Sequence, residues 1–135
     1  MYKLVQIGTV HNSIKDRKHF ESMQVISELE LYPEYLDGLE GVESFSHLVV
    51  LFWFHKISNV ERSVLMVHPR RDPALPLTGV FSTRSPARPN PIGISAVELL
   101  KKTDNILTVS GLDAIDGTPI LDIKPLKLLP GLGKC

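Results

Sequence analysis

The sequence has one cysteine, Cys135, at its very end. A lone thiol excludes an internal disulfide and a cysteine-built metal centre, and it fits a reducing compartment. No apolar run reaches the roughly 20 residues that a membrane-spanning helix needs, and Met1-Tyr2-Lys3-Leu4-Val5 lacks the charged-then-apolar layout of a secretory signal. A cytoplasmic protein with no membrane association is expected. Net charge is zero, from 15 basic and 15 acidic side chains, which argues against bulk electrostatic coating of nucleic acid. No G-x-G-x-x-G turn occurs, so a Rossmann domain is not expected. His11, His19, His47, His55 and His68 follow no common zinc spacing, so neither a metal nor a metal-dependent hydrolase is expected.

What the chain does contain is a series of short strand-like segments with turn residues between them. With 135 residues and 43% hydrophobic content, it suits one domain spanning 1–135 with a single core. Lys3 to Val10, Met23 to Leu31 and Ser46 to His55 read as strands. Gly93 to Leu100 and Ile106 to Leu112 read as a hairpin through Lys101-Lys102-Thr103-Asp104-Asn105, and a second turn falls at Asp116-Gly117. Tyr32 to Leu39, with Pro33 at a first helical position, and Ser58 to Leu65 read as two short helices. The pattern is that of an all-β protein, barrel or sandwich, with one or two short helices.

The most informative run is Gly79-Val-Phe-Ser-Thr-Arg-Ser-Pro-Ala-Arg-Pro-Asn-Pro-Ile-Gly-Ile-Ser95. Its three prolines stiffen the backbone into extended and turn conformations. On that mount, Arg84 and Arg88 carry planar forks suited to carboxylate or phosphate, and Asn90 can both donate and accept. Charge is unevenly spread around the run. Met1 to Glu61 holds nine acidic and five basic side chains, whereas Arg62 to Val97 holds five arginines against Asp72 alone. The functional reading is a local basic patch that grips a few phosphates; the bland one is a proline-rich turn with solvated arginines balanced by acids nearby.

Two further segments carry polar groups. In Phe52-Trp53-Phe54-His55-Lys56, alternation sets Phe52 and Phe54 on one face and Trp53 and His55 on the other. One face can be core and the other can look into a cleft. His47 reads as structural, at the start of its strand. In Asp113-Ala-Ile-Asp116-Gly117-Thr118-Pro119, two carboxylates flank a flexible turn with free backbone amides. These can meet a ribose or an amino group, or the aspartates can simply stabilise an Asx-type turn.

Gly79 to Gly93 closely resembles the signature of the YaeB-like (TrmO) family of S-adenosylmethionine-dependent tRNA methyltransferases. Ile7-Gly8-Thr9-Val10-His11, Gly38 to His47, Leu51 to His55 and Leu112 to Pro125 are similar to the family's other segments in the family's order. The resemblance implies a single-domain, non-Rossmann β-barrel with the cofactor held by loops outside the barrel. It implies S-adenosyl-L-methionine as cofactor, contacted by Met23, Gln24, His55, Lys56, Arg84, Ile94, Asp116, Gly117, Thr118 and Pro119. Asp122 and Lys124 then form a structural pair.

By the same resemblance, the substrate is threonylcarbamoyladenosine beside the tRNA anticodon, methylated on its exocyclic nitrogen. Arg88 and Asn90 are the candidates for contacting it, and no catalytic residue is singled out. Family members carry a proline-containing segment ending in Gln in the early loop and a tyrosine after Lys-Pro; here those places read Glu21-Ser22-Met23-Gln24 and Lys124-Pro125-Leu126. The chain also stops short of the C-terminal extension of longer relatives, so whatever that extension does for tRNA docking is expected to be absent or supplied by a second subunit. Since one small β-domain is hard pressed to hold both a cofactor and a tRNA loop, a homodimer with the cleft near its interface is expected. The competing reading is a non-catalytic RNA- or nucleotide-binding β-barrel module.

Overall fold

Alternating burial builds the barrel. In a computed structural model of the protein, which describes residues 1–16 and 25–127, the chain forms β1 (Gly8–His11), β2 (Ile26–Leu31), β3 (His47–Trp53), α1 (Asn59–Arg62), β4 (Met66–Val67), β5 (Thr78–Gly79), β6 (Ile92–Thr103), β7 (Ile106–Ser110) and β8 (Pro119–Pro125). Short 3-10 turns lie at Pro33–Leu39, Val42–Ser44, Pro69–Arg71 and Val80–Ser82. Every second residue of the barrel strands points inward. Leu29 and Leu31 do so from β2, Leu48, Val50 and Phe52 from β3, Val97 from β6, and Leu107 and Val109 from β7, all essentially buried. Each such side chain contributes roughly 1.5–3 kcal/mol of hydrophobic stabilisation. The outward partners on β2 are Glu28 and Glu30, both exposed.

The strands close in the order β1-β2-β7-β6-β3-β8. β8 returns to β1, pairing Ile120 with Gly8 and Pro119 with Thr9. Closure brings β1 so near β2 that a Cβ on Gly8 would sit 2.4 Å from the Glu30 carbonyl oxygen. The expected all-β barrel, without a dinucleotide fold, is therefore what forms. Cα proximities divide the chain into a barrel unit, residues up to Phe52 and from Ile94 on, and a second unit, Trp53–Gly93, which holds α1 and the β4-β5 ribbon.

Several elements are shorter than their sequence patterns suggest. β1 starts at Gly8, since the residues before Ile7 are exposed and have no barrel face to bury. The Ser46–His55 run is a strand only to Trp53. Ser58 to Leu65 yields the four-residue α1, held by a capping box in which Ser58 Oγ accepts from the Glu61 amide and the Glu61 carboxylate accepts from the Ser58 amide. Tyr32 to Leu39 forms a 3-10 turn with Pro33 at its first position. The β6-β7 hairpin turns in two residues, Asp104-Asn105, with Asp104 at φ 53°, so Lys101 to Thr103 belong to the strand.

Candidate functional site

The second unit carries the basic loop. After β3 the chain turns at His55-Lys56, and the Phe54 amide donates to the Pro91 carbonyl at 2.7 Å. His55 is half-buried. Burial, then the neighbouring Lys56 ammonium, holds its imidazole below the usual 6.5, against a backbone hydrogen bond at Trp53. Its Nδ1 is buried and has no hydrogen-bond partner among the described residues. A buried polar atom left without a partner costs about 1–3 kcal/mol, which a ligand that bonds to it recovers.

The six cations of this unit, Lys56, Arg62, Arg70, Arg71, Arg84 and Arg88, face two acids, Glu61 and Asp72. The structure sorts the arginines. Arg62 Nε donates to the Pro89 carbonyl at 2.9 Å, and its guanidinium lies over the Trp53 ring. Arg88 Nη1 donates to the carbonyls of Thr83 and Ser85, each at 3.1 Å. Thr83 Oγ1 accepts from the Ser85 amide and Ser85 Oγ from the Ala87 amide. Arg62 and Arg88 thus brace the proline-rich run from within, and Arg88 is engaged by its own loop. Arg84 and Asn90 are exposed.

Arg70 and Arg71 are also exposed, and both sit in the left-handed region at φ 57°. That conformation costs a non-glycine residue about 1–2 kcal/mol. The tip that holds them runs from β4 to β5 and is tied internally. His68 Nδ1 bonds the Leu75 carbonyl at 2.8 Å, Asp72 Oδ1 accepts from the Ala74 amide at 2.9 Å, and the Arg71 amide donates to the His68 carbonyl at 3.0 Å.

The barrel unit carries the other expected residues. Asp116 accepts from the Asn12 amide at 3.0 Å through Oδ1 and from Lys15 Nζ at 2.9 Å through Oδ2. Lys15, then the Asn12 amide, holds its carboxyl below the usual 3.8. Asn12 Nδ2 reaches Ser27 Oγ and the Ala114 carbonyl. The turn is not free: the amides of Asp116, Gly117 and Thr118 donate to the carbonyls of Ile14, Val10 and Ile115. This corrects the expectation of open amides, and the reason is that β1 and the chain after it lie against the turn. Gly117 has φ 84°, which favours glycine there. Thr118 is buried, with Oγ1 bonded to the Ile115 carbonyl at 2.7 Å.

Asp116 and Lys15 border an open groove of about 560 Å³ with His11, Ile26, Glu28 and Thr108. Ile94 points outward from β6 and is 48% exposed. Lys124 Nζ lies 3.1 Å from Asp122 Oδ2, the expected pair. His47 heads β3 with Nδ1 2.8 Å from Ser46 Oγ. Met23 and Gln24 lie outside the described residues. Sequence reasoning missed the bracing roles of Arg62 and Arg88 and the anchoring of Asp116 by Asn12 and Lys15. It counted Arg70 and Arg71 only as charge, although Pro69-Arg-Arg-Asp-Pro73 carries a turn signal in its flanking prolines.

A closed six-stranded β-barrel in a chain with no dinucleotide-binding turn defines a non-Rossmann β-barrel protein. The chain belongs to the family of the tRNA-methyltransferase O N-terminal domain, whose model matches residues 15–128. A probable S-adenosyl-L-methionine-binding protein of Methanothermobacter thermautotrophicus is 48% identical over 125 residues, covering 88% of this chain and 85% of that protein. A mouse tRNA (adenine(37)-N6)-methyltransferase is 49% identical over 88 residues, 65% of this chain and 20% of its own. The crystal structure of TrmO from Pseudomonas aeruginosa superposes with a TM-score of 0.72 at 32% identity, over 94% of this chain and 56% of that one. The chain thus spans most of the first relative, about half of the Pseudomonas protein, and 34% of an Archaeoglobus fulgidus relative that is 42% identical to it.

Proposed function

We propose that the protein is an S-adenosylmethionine-dependent tRNA methyltransferase that methylates the exocyclic nitrogen of threonylcarbamoyladenosine next to the anticodon. The observation that carries this reading is family membership over residues 15–128, joined to the mouse relative's name as an adenine(37)-N6 tRNA methyltransferase. The protein's own chemistry fits the cofactor at one point in particular. His55 presents a buried Nδ1 in need of a partner, on a ring that burial and Lys56 keep neutral. A neutral imidazole can take one hydrogen bond from a polar ligand without repelling a sulfonium cation.

When bound, S-adenosylmethionine supplies an electrophilic methyl group that a nitrogen nucleophile displaces in line. What the chain must add is alignment. In the second unit, the braced proline-rich run holds Arg84 ready for an anionic group and Asn90 for the base. In the barrel unit, Lys15 and Asn12 fix the turn at Asp116, with Gly117 and Pro119 on either side of buried Thr118. Single-stranded anticodon bases are accessible to such loops without opening a duplex. A cytoplasmic homodimer completes the reading.

The test is to incubate the full chain with S-adenosylmethionine and tRNA carrying threonylcarbamoyladenosine, then digest and weigh the nucleosides. A gain of one methyl group on that nucleoside is expected. Binding of both ligands without methyl gain would leave the RNA-binding module in its place. A sedimentation mass of two chains is expected in the same buffer.

A further inference from the structure

We infer that the Arg70-Arg71 tip of the second unit is a grip for two backbone phosphates of the tRNA, separate from the proline-rich run expected to meet cofactor and base. The inference rests on the tRNA reading above and adds the place where the RNA backbone is held. Three observations converge. First, the tip is built to present these two side chains. Consecutive arginines occupy the left-handed region, Arg70 at φ 57°, ψ 21° and Arg71 at φ 57°, where glycine or asparagine would be at ease. The backbone conformation there does not favour arginine over glycine or asparagine.

Second, both guanidinium groups are open to solvent, and among the described residues neither has a hydrogen-bond or ion-pair partner; Arg71 only lends its field to Glu61. The nearest acid in sequence, Asp72, accepts from the Ala74 amide within its own turn. Arg62 and Arg88 are different, because internal carbonyls hold them. Third, the tip is preorganised. Pro69, Pro73 and Pro76 restrict it, the His68 ring ties it across to Leu75, and the β4-β5 pairs Met66 with Gly79 and Val67 with Thr78 close its base. A stiff loop with two adjacent five-donor forks suits neighbouring phosphates of a bent RNA strand. Contacts to backbone phosphates fix the place and orientation of an RNA and carry no sequence information of their own.

The experiment measures tRNA affinity as a function of salt for the wild type, for the double variant Arg70→Gly/Arg71→Gly and for Arg70→Gln/Arg71→Gln. Glycine relieves the backbone strain, so its melting temperature should match or exceed that of the wild type. Both variants should bind tRNA about tenfold more weakly at low salt, with the log-log salt slope shallower by about 1.4 for two lost phosphates of a single strand. Arg70→Lys/Arg71→Lys should keep the slope. Unchanged affinity and slope in folded variants, alongside a wild type that binds and methylates tRNA, would overturn the grip alone. A wild type that binds no tRNA overturns the grip together with the function on which it rests.

Discussion

The guanidinium carbon of Arg62 stands 5.3 Å from the centre of the Trp53 ring while Nε of the same side chain donates to the Pro89 carbonyl at 2.9 Å. One planar cation therefore ties α1 to the residue that ends β3 and to the end of the proline-rich run. Lysine has neither the stacking plane nor the Nε donor. Arg62→Lys should cost about 1–2 kcal/mol, seen as a fall of several degrees in melting temperature. A variant as stable as the wild type would remove Arg62 from the frame of the loop.

Arg88 and Arg84 should separate bracing from contact. Loss of Arg88 strips the Thr83 and Ser85 carbonyls of their donor, so Arg88→Ala should speed hydrogen exchange at the Ser85 and Ala87 amides and weaken cofactor binding about tenfold. Arg84→Ala should weaken binding by a similar factor and leave that exchange as it is. Equal exchange patterns in the two variants would contradict the division.

His55 gives a pH signature. Its folded pKa lies below 6.5, so the unfolded chain takes up the proton first as pH falls. The histidine's influence on stability is absent above the unfolded value and turns against the fold below about 6.5, levelling off only beneath the folded pKa. Cofactor affinity that depends on a neutral ring should hold down to about pH 6.5 and drop below the folded value. Calorimetry of wild type and His55→Gln across that window checks both, and a variant with the same pH profile as the wild type would exclude His55 as the titrating group.

Asp116 anchors its turn through unequal partners. The Lys15 side chain is 75% exposed, that of Asp116 30%, so water and salt screen the ion pair. The amide bond from Asn12 should weigh more in stability. Lys15→Ala is expected to cost no more than about 0.5 kcal/mol, and Asp116→Ala about 1–2 kcal/mol. The Asp116 contribution is present above pH 3.8 and fades as pH falls through the lowered folded value. Urea unfolding at neutral and acid pH reads out both; a Lys15 variant as damaged as the Asp116 variant would reverse the ranking.

Gly8 tests the closest approach in the barrel. A Cβ there would lie 2.4 Å from Glu30 O and 3.0 Å from Leu31 Cα, both backbone atoms with little room to move. Gly8→Ala should destabilise by about 1–3 kcal/mol or more, with faster amide exchange along β1 and β2. A neutral substitution would mean that the two strands can part without loss.

Much of the barrel could be read because its strands are half-buried and show it as alternation. Leu29 and Leu31, Leu48, Val50 and Phe52, and Leu107 and Val109 announce their strands, and Pro33 and Ser58 announce the starts of short turns. β8 escaped because proline stands at both its ends and its middle, Leu121-Asp122-Ile123-Lys124, reads as mixed polarity until β1 and β3 are seen on either side. β4 and β5 are two residues each, too short to show any period. At the site, proline and arginine marked the loop, yet chemistry alone could not tell a bracing arginine from an open one. Arg88 and Arg84 look equivalent in sequence, and only the positions of the Thr83 and Ser85 carbonyls distinguish them. The orphan Nδ1 of His55 is likewise invisible until the turn after Trp53 buries it.

Of the barrel strands, the one that sits between β1 and β3 is made last. β8 bonds to both, so a nascent chain leaving the ribosome has two open sheet edges until Pro125 emerges. Open edges invite pairing with other chains, and contacts between distant parts of a chain form slowly. Synthesis therefore creates a window in which the newborn protein is sticky, and that window shuts when the final barrel strand zips between the first and the third.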